Sequence, residues 1–136
     1  MGAWSHESFG NDTACDWAGD LQEGDDLAPV EAALDAVLAA GDDYLESPEA
    51  CEAIAAAEVV ARLQGHFGVR DAYSEGLDEW VARIGVAPSP ELASKARRAL
   101  ARILVEPSEL MELWEETEDA GAWRAAMNEL LSRIAT

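Results

Sequence analysis

Between Pro48 and about Gln64 the chain has apolar residues on every side of the helix that this stretch predicts. Ile54, Val59, Val60 and Leu63 point in widely separated directions and alanines fill the intervals. A helix with no polar face must be enclosed by other elements, so this segment demands a layer of helices around it. The remaining sequence supplies them. Apolar residues recur at helical spacing in Ala14, Trp17, Ala18 and Leu21, then in Val30, Leu34, Val37 and Leu38, and again in Leu77, Trp80, Val81 and Ile84. They recur in Leu92, Ala96, Ala99, Leu100, Ile103 and Leu104, in a short acidic stretch with Leu110, Leu113 and Trp114, and in Trp123, Ala126, Met127, Leu130, Leu131 and Ile134. Alternating strand patterns are absent. The expected fold is all-α, with about seven short helices packed around a central Ala-rich one.

Punctuation between these runs is regular. Ser-Pro-Glu occurs at Ser47-Pro48-Glu49 and at Ser89-Pro90-Glu91, each time placing a serine N-cap ahead of proline at N1 and an acid at the positive helix end. Gly41, Gly65 and Gly85 each follow an apolar-periodic run, where glycine takes the left-handed conformation that ends a helix. The two Ser-Pro-Glu helices share nothing beyond the cap, so there is no internal repeat.

A chain of 136 residues with 49% hydrophobic content and five Trp has enough apolar area to offset the entropy of ordering, and one domain over residues 1–136 is expected. Residues 1–11 are non-periodic and contain glycine, yet carry Trp4 and Phe9. They read as an N-terminal strap whose aromatics plug the helical core. No basic, apolar leader and no membrane-length apolar run is present, so a cytoplasmic location is expected. The opening Met-Gly is followed by His6 at the position where myristoylation needs Ser or Thr. Cys15 and Cys51 fit no metal spacing and are expected to be reduced, small apolar residues.

Charge is divided unevenly. Met1 to Ala61 hold fifteen Asp and Glu and no Lys or Arg, and so carry −15 of the net charge of −19. Such a surface repels nucleic acid and anionic membrane, and it attracts cations or a basic protein surface. Within it Asp12, Asp16 and Asp20 repeat at i,i+4 on one helix face, each like-charge pair costing roughly 0.2–0.5 kcal/mol. A solvated face explains the ridge better than a cation bridged with His6, because adjacent-turn carboxylates alone make no oxygen cage. The basic residues Lys95, Arg97, Arg98 and Arg102 cluster in one helix. Amid so much negative charge, they are expected to meet acidic helices of the same molecule.

Glu58 is the unusual acid, since it lies on the helix with no polar face. A buried, unpaired carboxylate costs several kcal/mol or titrates to its neutral form. Arg62, one turn on, is the expected partner in a structural ion pair, and an active-site acid is the competing reading. Trp4, through its indole N–H, is expected as a further donor toward Glu58. His66, following Gly65, most simply meets helix-terminal carbonyls. No nucleophile elbow, phosphate-binding glycine loop, zinc spacing or calcium loop is present, and neither histidine has a Cys or Ser neighbour that suggests a dyad.

Met1-Gly2-Ala3-Trp4, Phe9, Asn11-Asp12 and Asp16-Trp17 resemble the start of the bacterial family known as domain of unknown function 4259. Asp43-Tyr44-Leu45-Glu46, the run Ala55 to Ala61, Ala99-Leu100 and Leu113-Trp114-Glu115-Glu116 extend the resemblance over nearly the whole chain. Ser5, His6 and Cys15 depart from the family's usual residues, so any role of His6 is particular to this protein. The resemblance implies a small bacterial protein and no particular activity.

Two kinds of function are compatible with these features. One is a non-enzymatic, monomeric interaction protein whose acidic half docks a basic surface. The other is a small-molecule or metal-dependent activity around Glu58, Trp4 and Asp12/Asp16. The first is favoured, with no cofactor and no catalytic residue expected. The candidate binding or buried polar residues are Trp4, His6, Asp12, Asp16, Glu58 and Arg62.

Overall fold

The computed structural model describes residues 12–66 and 75–135. The expected strap over residues 1–11, with Trp4 and His6, lies outside them. The described residues form seven helices and no strand: α1 (Asp12–Leu21), α2 (Ala28–Ala39), α3 (Ser47–Leu63), α4 (Glu75–Ile84), α5 (Pro90–Ile103), α6 (Glu109–Glu115) and α7 (Ala120–Arg133). The all-α expectation is met.

As its composition requires, α3 is the central element. Every residue from Ala53 to Arg62 is buried, and α3 packs against each of the other six helices. Ala50, Ala53, Ala55, Ala56, Ala57 and Ala61 are the reason this is geometrically possible, because a methyl side chain lets neighbouring helix axes come close on several sides at once. The closest neighbours are α2 and α5, which also touch each other. Buried residues from all seven helices merge into a single apolar cluster. Trp114 of α6 and Trp123 of α7 add an offset stack to it, with ring centroids 6.4 Å apart and planes within 9° of parallel.

Helix ends follow the sequence signals in part. At the end of α3 Gly65 has φ +85°, which sets its own N–H on Arg62 O at 2.9 Å and the His66 N–H on Ala61 O at 2.9 Å. This pair of bonds satisfies two carbonyls that the helix would otherwise leave unpaired. Gly41 and Gly85 also have positive φ, at +54° and +59°. At the start of α5 Ser89 is the N-cap, its Oγ accepting from Leu92 N at 3.1 Å. The matching tripeptide of α3 behaves differently. Glu46 takes the cap position there, Ser47 is already helical, and the Ser47 N–H donates to the Glu109 carboxylate of α6 at 2.7 Å. A distant glutamate has replaced the local serine as the cap.

That contact belongs to a small junction. Leu45 and Ser108 form an isolated parallel bridge, with Leu45 N donating to Pro107 O at 3.2 Å and Glu109 N to Leu45 O at 2.9 Å. Arg102 closes the junction. Its guanidinium donates to the carbonyls of Gly41, Asp43, Val105 and Pro107, so one charged side chain satisfies loop carbonyls on both sides of the bridge.

Candidate functional site

Because α3 has no exposed face, an acid in its middle cannot reach water. Glu58 is 3% exposed and Arg62, one turn later on the same face, is 1% exposed. Arg62 Nε donates to Glu58 Oε2 at 3.2 Å, and its Nη1 pairs with the Asp78 carboxylate in the first turn of α4. A second guanidinium comes from the last turn of α7. Arg133 grips Glu58 with two prongs, Nη1 to Oε2 at 2.6 Å and Nη2 to Oε1 at 2.8 Å, while its Nε donates to Glu129 at 2.6 Å. The Glu58 and Asp78 carboxylates thus neutralise the two guanidiniums where α3, α4 and α7 meet, and the exposed Glu129 adds a third carboxylate at the rim.

The energetics explain why two cations are used. Removing a charged group from water costs several kcal/mol per ion, and only good geometry with charge-assisted bonds offsets it. Both oxygens of Glu58 accept from a guanidinium. In return, the Glu58 contact, with a smaller contribution from Glu129, raises the pKa of Arg133 against the opposing effect of burial. The surrounding backbone fixes Arg133 in place. His66 Nδ1 lies 2.6 Å from the Arg133 carbonyl, which can only accept, so the imidazole carries a proton on Nδ1. Arg133 Nη1 donates to His66 O at 3.1 Å, and the Gln64 amide bonds the Ala135 backbone in both directions, at 2.7 and 2.9 Å. His66 therefore does meet a helix-terminal carbonyl, but that of α7.

Asp12, Asp16 and Asp20 occupy the opposite environment. All three are exposed on α1, on the side turned away from Ala14, Ala18 and Leu21, which α1 buries. Their charges stay in water. Other acids of this half are engaged at the surface: Asp25 pairs with Arg83 at 2.7 Å, and Lys95 bridges Glu31 at 3.1 Å and Asp35 at 2.8 Å. Lys95 meets the expectation for the basic stripe. Arg97 and Arg102 depart from it, since both bond backbone carbonyls, Arg97 those of Leu131 and Ile134. Arg98 is exposed.

Near the start of α3 burial also affects titration. The Cys51 thiol is pushed up to about 11, first by burial and then by Glu52 and Glu109, so it is protonated at neutral pH and a poor nucleophile. The Glu52 carboxyl is raised as well, first by burial and then by Glu49 and Asp20. Among the described residues, no three His, Cys, Asp or Glu side chains gather as a metal site.

Residues 2–126 match the model of a family described as a domain of unknown function, DUF4259. The chain belongs to that family. No curated protein and no solved structure shows significant similarity to it. Glu58, Arg62 and Asp78 lie within the span matched to DUF4259, and Glu129 and Arg133 lie beyond it.

Of the residues singled out in the sequence, Glu58 and Arg62 are brought together, while Asp12 and Asp16 stand apart on the exposed face of α1. Trp4 and His6 fall outside the described residues. Sequence reasoning missed Asp78, Glu129 and Arg133. The available signal for Arg133 was its place one turn from Leu130, at the edge of the apolar face of α7; Asp78 gave none beyond lying in the first turn of a helix.

Proposed function

We propose that this DUF4259 protein is a non-enzymatic binding protein that docks a basic protein surface through its acidic N-terminal half. The observation that carries the reading is the split between the acids. Glu58 is neutralised internally, whereas Asp12, Asp16, Asp20, Glu23, Asp42 and Asp43 are exposed with no Lys or Arg paired to them among the described residues. Hydrated like charges cost little at the surface and create a potential that steers an oppositely charged partner. The same potential opposes nucleic acid and anionic membrane. Among the described residues no helix is long and apolar enough to cross a membrane. In this reading the protein acts as a cytoplasmic monomer, its charge opposing self-association.

An activity centred on Glu58, Trp4 and Asp12/Asp16 is the competing proposal. Docking is favoured over it because both Glu58 oxygens already accept from guanidinium groups of the protein, leaving the carboxylate poorly placed to receive a ligand.

The test is capture from an extract of the source cells by the immobilised protein and by a triple Asp12→Asn, Asp16→Asn, Asp20→Asn variant, with bound proteins identified by mass spectrometry. The expected result is a basic protein retained by the wild type, released as salt shortens the Debye length from about 10 Å toward 3 Å, and retained several-fold less by the variant. Retention that is insensitive to both salt and the substitutions would overturn the proposal.

A further inference from the structure

We draw no further inference here: the strongest candidate, the exposed Tyr44 side chain with the Glu46, Glu109 and Glu112 carboxylates near it beside the Leu45–Ser108 bridge, is one aromatic group next to an acidic cluster, and nothing in the structure shows what covers it.

Discussion

Glu58 on α3 holds a carboxylate out of water between two guanidinium groups, whereas Asp12, Asp16 and Asp20 on α1 leave three carboxylates in water with no cation paired to them among the described residues. The ridge has three times the charge and needs no compensation; the single buried acid recruits side chains from its own helix and from α7. Dehydration, and not the number of charges, sets what an acid demands of a fold. The protein thus has two separate electrostatic systems, an internal one that is neutral and an external one that is strongly negative.

The largest test of that contrast is Glu58→Ala. It leaves Arg62 and Arg133 without their shared acceptor, and urea denaturation should show a loss of about 3–5 kcal/mol, the usual consequence of removing one partner of a buried pair. A loss below about 1 kcal/mol would mean that water reaches the pair, and the contrast would disappear. Arg133→Lys is the next largest. Charge is kept but the two-pronged contact becomes a single one, which should cost about 1.5–3 kcal/mol, the worth of one hydrogen bond to a charged group.

A smaller effect is expected at Glu52, which is partly buried and so stands between the two systems. Its carboxyl titrates above the ordinary glutamate range in the folded protein, mainly because of burial. A raised folded value favours the protonated form, so its contribution to stability is complete below the unfolded value, near pH 4.3, and is lost as pH rises through the folded one. Glu52→Gln should therefore raise the melting temperature at pH 7 and leave it unchanged near pH 3. A gain of equal size at both pH values would assign the effect to packing. The smallest effect belongs to the triple asparagine variant of the α1 ridge. Relief of two like-charge pairs and loss of the favourable Asp12 contact with the helix start should nearly cancel, leaving stability within about 0.5 kcal/mol of wild type. A loss above about 1 kcal/mol would show that the ridge supports the fold.

What was legible in the sequence depended on distance along the chain. The burial of Glu58 followed from the absence of any polar face on its helix, and Arg62 followed from helical spacing, both being properties of one segment. Arg133 lies 75 residues from Glu58 and Asp78 lies 16 from Arg62, so each meets its partner only through the packing of α7 and α4 on α3. No periodicity encodes that. The two Ser-Pro-Glu starts make the same point. Ser89 caps α5 as local chemistry predicts, but at α3 the Glu109 carboxylate, 62 residues away, reaches the Ser47 N–H and displaces the local serine. Positive φ at Gly41, Gly65 and Gly85 was foreseeable because a left-handed helix end is settled within a few residues.

The central position of α3 also orders the ways in which the molecule loosens. Each outer helix has some face in solvent and can detach by giving up its own contacts, so amide exchange in α1 or α4 need not wait for the remainder to open. An amide in the middle of α3 meets solvent only after the helices packed around it have separated, which approaches complete unfolding. Deuterium uptake should therefore be slowest between Ala53 and Arg62, making the helix with the most alanines, ordinarily a poor source of hydrophobic area, the last to exchange.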